Sequence, residues 1–115
     1  VEVWGTGNAT REFLYVEDTA KAILDVAEKF NNSGPLNLGT GVETSIKELV
    51  ETIVELIGYD GDIIWNTDRP DGQPRRFYCM ERFRKHMGYV PNTSLKEGLK
   101  KTIDWYLNST DKKRL

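Results

Sequence analysis

Four residues have the types and settings to engage a ligand: Trp4, Arg11, Arg69 and Asp71. Arg11 opens the run Arg11-Glu12-Phe13-Leu14-Tyr15-Val16-Glu17-Asp18. Phe13, Tyr15 and Val16 read as a half-buried strand that would hold the arginine at one rigid end. A guanidinium held there can fork onto a diphosphate, and an ion pair with Glu12 or Asp18 is the competing use of it. The densest polar stretch is Asp68-Arg69-Pro70-Asp71-Gly72-Gln73-Pro74-Arg75-Arg76. Two prolines and a glycine fix an extended, turned loop with little entropy left to lose. Asp71 can accept from sugar hydroxyls, while Arg69 or Arg76 meets phosphate oxygens, which suits a phosphorylated, hydroxyl-rich ligand. A solvated turn with its own Arg–Asp pair is the plain alternative. Trp4 sits at a strand end beside a glycine turn, placed either to stack on a base or sugar or to pack as a partly buried strand residue.

Two glycine-rich segments mimic nucleotide turns. Gly5-Thr6-Gly7-Asn8-Ala9-Thr10 begins like a dinucleotide fingerprint, but no helix follows to receive a pyrophosphate, so a loop turn is expected. Leu38-Gly39-Thr40-Gly41-Val42-Glu43-Thr44-Ser45 joins a short strand to a helix, yet carries Thr44 at the third fingerprint position; a cap-and-turn element is expected there. Arg75, Arg76, Arg82, Arg84 and Lys85 interleave with Phe77, Tyr78 and Phe83 in the manner of a nucleic-acid patch. The acidic balance elsewhere opposes that reading. His86 has no Ser or Cys constellation and reads as a surface residue. Cys79 reads as a small buried apolar residue. No nucleophile–base pair, catalytic carboxylate pair or metal cluster is apparent, so spacing alone identifies no reaction.

The elements that must position these groups follow from periodicity. One helix follows Glu17-Asp18, with Ala20, Ile23, Val26, Ala27 and Phe30 as its apolar stripe and Asn31–Pro35 as its stop. A second carries Ile46, Leu49, Val50, Ile53, Val54 and Ile57, opened by the capping box Ser45-Ile46-Lys47-Glu48 and closed by Gly58. A third, after Ser94-Leu95-Lys96-Glu97, buries Leu99, Ile103, Tyr106 and Leu107. A short fourth helix is predicted over 81–87, and strands over 1–4, 13–16, 36–38 and 62–65. The class is α/β with three main helices and short strands.

Composition sets outer bounds. The 115 residues hold 16 Lys+Arg and 18 Asp+Glu, a net charge of −2, with 38% hydrophobic and 30% charged residues. That is one soluble domain's worth of chain. No apolar run reaches the roughly 18 residues of a membrane helix. A single cysteine permits no internal disulfide and is compatible with a reducing cytoplasm. Val1-Glu2-Val3-Trp4-Gly5 is no signal peptide and reads as a strand entered partway. The domain is expected over 1–107, with 108–115 a frayed basic tail.

Taken in order, Trp4-Gly5-Thr6-Gly7, Arg11 to Asp18, Asn37-Leu38-Gly39-Thr40-Gly41 and Arg69 to Arg76 resemble the C-terminal part of extended short-chain dehydrogenase/reductases, specifically the NAD-dependent nucleotide-sugar epimerases and reductases. The resemblance runs from Val1 to about Leu107. It implies the substrate-binding portion of a Rossmann-type enzyme, with Trp4, Arg11, Arg69 and Asp71 touching a nucleoside-diphosphate sugar and Arg11 on the diphosphate. Arg69 stands where related enzymes often carry lysine. The family's cofactor turn, Tyr-x-x-x-Lys pair and Ser or Thr partner normally lie upstream, and none is present here. The resemblance therefore implies NAD or NADP bound by a missing domain and no cofactor or catalytic residue in this portion. One histidine and one cysteine fall short of the three or four ligands of a zinc site, so no metal is expected, and a cytoplasmic homo-oligomer is expected. It also implies that 36–38 and the first helix pack on that missing domain. A non-enzymatic polyanion or RNA module and a structural dimerisation domain remain the alternatives. The whole reading requires Arg11 and the Asp71 loop to converge on one cleft.

Overall fold

A computed structural model describes residues 1–109. In chain order the elements are β1 (Glu2–Trp4), β2 (Thr10–Arg11), α1 (Val16–Lys29), β3 (Thr44–Ser45), α2 (Ile46–Ile57), β4 (Ile64–Asn66), α3 (Glu81–Met87) and α4 (Leu95–Asn108). The class is α/β, as the periodicity predicts. β1 and β4 run parallel, with Glu2 opposite Ile64 and Trp4 opposite Asn66. β2 and β3 pair antiparallel, Thr10 opposite Ser45 and Arg11 opposite Thr44.

Helix ends follow local chemistry closely. Ser45 Oγ accepts from the Glu48 amide at 3.0 Å, and Ser94 Oγ accepts from the Glu97 amide at 3.2 Å. Gly58 closes α2 in the left-handed region at φ +63°, where a side chain would be strained. α3 occupies the span expected of it. Of the expected tail, Asn108 belongs to α4 and Ser109 caps it, while 110–115 lie outside the described residues.

Strand positions depart from expectation. Residues 12–15 form no ladder; the strand lies earlier, at Thr10–Arg11, and Val16 already belongs to α1. Alternation fixes which side chains share a face, but a ladder needs a partner, and the partner here meets residues 10–11. The 36–38 stretch is likewise no strand, although Leu36 and Leu38 pack on the core. The last strand is displaced to Ile64–Asn66. Glu17 and Asp18 sit inside the first turn of α1, whose N-cap is Tyr15 without a side-chain bond, so they act through the helix dipole.

The apolar stripe of α1 is turned outward. Ala22 is fully buried and Val26 packs beside it, whereas Ile23 is 57% and Leu24 71% exposed, and Ala20 and Ala27 also face solvent. The core of Ala22, Met80 and Phe83 explains the choice. A small residue at 22 lets α1 approach the Phe83 ring, which meets Tyr89 edge-on at 5.5 Å between centroids. Tyr106 and Leu107 on α4 are exposed too, against expectation, as is Cys79. The radius of gyration is 16.8 Å, against about 13 Å for a compact domain of this length. A small core and wide exposed faces describe a chain that buries part of its apolar surface and presents the rest.

With Phe83 the one large side chain among the described residues buried to 1%, Phe83→Ala is expected to cost about 3–5 kcal/mol. In so small a core that loss should abolish the cooperative unfolding transition seen by circular dichroism in urea.

Candidate functional site

β1 and β4 end side by side, and the two chains leaving their carboxyl ends build the site. Ligands favour this edge of parallel sheets because the loops there are free to shape a crevice. After β4, the Arg69 amide donates to the Asn66 carbonyl at 3.2 Å and the Asp68 amide to Asn66 Oδ1 at 3.1 Å, a turn started by an asparagine. That turn carries the Arg69 guanidinium to 5.1 Å from the centroid of the Trp4 ring. Trp4 remains 63% exposed, so its indole is supported by the arginine and still presented to solvent.

The Gly5-Thr6-Gly7 turn and the Asp71 loop are locked together. Asp71 Oδ1 accepts from the Thr6 amide at 2.7 Å, and Oδ2 from Thr6 Oγ1 at 2.8 Å. The Thr6 hydroxyl, and after it the Thr6 amide, holds the Asp71 carboxyl below the usual carboxylate range. Gly5, at φ +84°, lies against this carboxylate, and a Cβ there would collide with it. Both Asp71 oxygens thus bind protein groups, and the side chain joins two loops.

Arg11 lies on the inner side of that joint. Its Nη1 donates to the Thr10 carbonyl at 2.6 Å, and Nη2 lies over Gly72, 3.8 Å from where a Cβ on that glycine would stand. No ion pair forms with Glu12 or Asp18. The Glu12 carboxylate accepts from the amides of Thr40, Gly41 and Tyr78, each at 2.7 Å, and Asp18 Oδ2 from the Thr93 amide at 3.2 Å. Thr10 is held by the 74–76 segment on both sides: its amide donates to the Pro74 carbonyl at 2.9 Å, and its carbonyl accepts from the Arg76 amide at 3.1 Å. The four sequence-expected residues therefore gather at one end of the molecule, Trp4 with Arg69, Asp71 with Thr6, and Arg11 over Gly72. Arg11 and the Asp71 loop are neighbours, not on opposite sides of the molecule.

Three groups were not singled out from sequence. Thr6 and Glu12 are the first two. Glu43 is the third: its carboxylate forks onto Arg75 at 2.8 and 2.7 Å and also accepts from Thr10 Oγ1. The Arg75 guanidinium, and after it the Thr10 hydroxyl, draws the Glu43 carboxyl down to about 2. These contacts span 28 to 66 positions, and no local spacing signals them. Glu12 alone was visible, as a rival partner for Arg11.

The cationic stretch does not act as one patch. Arg75 is committed to Glu43, Arg82 donates to the carbonyls of Pro35 and Ser33, and Phe83 is core. A buried ring cannot stack on a base, which takes Phe83 out of the interleaved set, while Phe77, under the Arg75 guanidinium, and Tyr78 stay exposed. His86 is half-buried, edge-on to Phe30 at 5.1 Å and near Asn32, so it belongs to the α1–α3 seam. Among the described residues no group of His, Cys, Asp and Glu could hold a metal ion, and no helix is long and apolar enough to cross a membrane.

Neither glycine turn fits a dinucleotide. Gly5–Gly7 leads into strand β2. The Gly39–Gly41 turn does bind an anion, through the Thr40 and Gly41 amides, but that anion is Glu12. Gly39 is needed because its Cβ would strike the same carboxylate. The turn is the cap-and-turn element expected of it.

The parallel pair β1–β4 thus carries an exposed tryptophan under an arginine at its carboxyl end, the end at which ligands of α/β sheets are commonly found. Residues 1–39 match the NAD dependent epimerase/dehydratase family. The chain is 38% identical over 109 residues to GDP-L-fucose synthase 1 of Arabidopsis thaliana, an alignment covering 95% of this chain and 33% of that protein. A GDP-L-fucose synthetase from Naegleria fowleri, solved bound to NADP, superposes with a TM-score of 0.90 at 25% identity, covering 96% of this chain and 35% of the other. UDP-glucose 4-epimerase from Thermotoga maritima, solved with UDP-glucose, gives 0.83 at 29% identity, covering 93% and 34%. The chain is a homologue of the nucleotide-sugar epimerases and reductases, as its motifs indicate. Within that class its relatives include GDP-L-fucose synthases, and it spans about a third of their length.

The Asp71–Thr6 joint has a defined acid response. Because the folded carboxyl lies below its ordinary value, the joint is intact above about pH 4 and is lost as pH falls through the lowered folded pKa. The Thr6 amide resonance, followed by NMR, should titrate below the usual aspartate midpoint. In Asp71→Asn that titration should disappear.

Proposed function

We propose that this chain is the substrate-binding portion of an NAD(P)-dependent nucleotide-sugar epimerase/reductase of the GDP-L-fucose synthase kind, holding a nucleoside-diphosphate sugar. The observation that carries the reading is the gathering of Trp4, Arg11, Arg69 and the Asp71 loop at the carboxyl ends of β1 and β4. In this reading Arg11, rigid between bonded neighbours, forks onto the diphosphate. Arg69 adds a second positive charge, and the exposed face of Trp4 stacks on the base or sugar. Asp71 accepts from sugar hydroxyls through the lone pairs Thr6 leaves free, while keeping the loop in place.

The chain carries no Tyr-x-x-x-Lys pair and neither of its glycine turns suits a dinucleotide. Hydride and proton transfer therefore fall to the rest of the enzyme, which would hold NAD or NADP, and residues 1–107 are catalytically silent alone. The outward stripe of α1, Val16, Ala20, Ile23, Leu24 and Ala27, fits a helix that docks on that remainder. A cytoplasmic setting, where the exposed Cys79 thiol stays reduced, belongs to the same reading.

Calorimetry with GDP- and UDP-sugars tests the site. Binding by the enzyme containing this chain is expected, and Arg11→Ala should weaken it by ~10-fold or more, the scale of a charge-assisted fork. Undiminished affinity in the variant, or no binding by the intact enzyme, would refute the assignment. Expressed alone, the 115-residue chain should self-associate through its uncovered α1 face. Light scattering that shows only monomer at high concentration contradicts this.

A further inference from the structure

We infer that Glu12 is a positioning residue that fixes the wall of the phosphate-binding crevice, an inference that rests on the site assignment above and extends it. One carboxylate ties three separate chain segments. Oε1 accepts from the Thr40 and Gly41 amides at 2.7 Å each and from Thr40 Oγ1 at 3.3 Å, while Oε2 accepts from the Tyr78 amide at 2.7 Å. No cation pairs with it among the described residues; backbone dipoles carry its charge. The receiving turn is shaped for it, with Gly39 against Oε1 and Gly41 at φ +73°.

The consequence falls on its neighbour. Arg11 stands between Thr10, bonded to Pro74 and Arg76, and Glu12, bonded to Tyr78. The segment after the Pro-Asp-Gly turn is pinned at one end by Asp71 on Thr6 and at the other by Tyr78 on Glu12. A guanidinium whose backbone is held on both flanks keeps its place over Gly72 without losing rotational freedom when a diphosphate arrives. Removing the Glu12 bonds leaves this segment held only from the Thr10 and Glu43 side and loosens it from Tyr78 back to Arg76, the stretch beside Arg11.

Glu12→Gln keeps the size and shape of the side chain but replaces one acceptor oxygen with a donor, so it cannot receive both sets of amides. In the enzyme containing this chain, amide exchange at Thr40, Gly41, Arg76 and Tyr78 should accelerate at least 10-fold while α4 amides stay protected. Affinity for a GDP-sugar should fall 10-fold or more. Arg82→Ala, which loosens the segment after α1 at Ser33 and Pro35, supplies the control: lowered thermal stability with unchanged affinity. Should Glu12→Gln fail to fold, Glu12→Asp, one methylene shorter, is expected to keep either the Thr40–Gly41 bonds or the Tyr78 bond and to show intermediate exchange and affinity. Unchanged exchange at 76 and 78, or wild-type affinity in the Gln variant, overturns the inference. If the wild-type enzyme binds no nucleotide sugar the site assignment falls, and the exchange pattern still decides whether Glu12 holds the wall.

Discussion

The site depends on a joint that fixes the tips of two loops, whose flanks meet at Gly5 with Asn66 and at Thr10 with Pro74 and Arg76. Asp71 reaches across 65 positions to the amide and hydroxyl of Thr6. A carboxylate is the side chain best suited to this task, because it accepts two hydrogen bonds in one plane and gains strength from its charge. The glycine at 5 exists to let it approach. Once the joint is made, the Asn66 turn has a single place to deliver Arg69, and that place is the face of Trp4. Remove the joint and the proline-stiffened loop stays anchored at Asn66 and at Thr10, but its tip at Asp71–Gly72 loses its hold on the Gly5–Gly7 turn.

The polar economy of the chain follows the same rule. Three acidic side chains near the site, Glu12, Glu43 and Asp71, are turned onto protein groups: amides, an arginine and a hydroxyl. This matters electrostatically. An acidic protein is a poor place to bind a diphosphate unless the carboxylates beside the site are neutralised by local donors. Glu43 cancels Arg75, while Arg11 and Arg69 form no salt bridge among the described residues. The net charge of −2 therefore says little about the sign of the potential at the crevice.

The weak centre of the molecule is equally informative. Ala22, Met80 and Phe83 hold α1 and α3 together, while much of the apolar surface of α1 and the end of α4 faces solvent. Burial worth ~25 cal/mol per Å² is left ungained on those faces. Such a surface is costly for an isolated monomer and ordinary for one portion of a larger protein, in keeping with a chain that spans about a third of its relatives.

What the residues determined by themselves was local. The serine caps of α2 and α4, the left-handed close at Gly58, the bounds of α3 and the stiff Arg-Pro-Asp-Gly loop were legible because each is settled within a few positions by backbone geometry and short-range hydrogen bonds. The family motifs were legible for the same reason: they are strings. Strand position was not, since a ladder needs a partner that alternation cannot name, and so 13–16 and 36–38 read as strands without becoming them. Nor was the direction of the α1 stripe, because a period of 3.6 marks an apolar face without saying what covers it. Only the tertiary structure put Thr6 under Asp71, Glu12 under Tyr78 and Arg11 over Gly72. Those contacts close loops tens of residues long, and loop closure is decided by the packing of everything between.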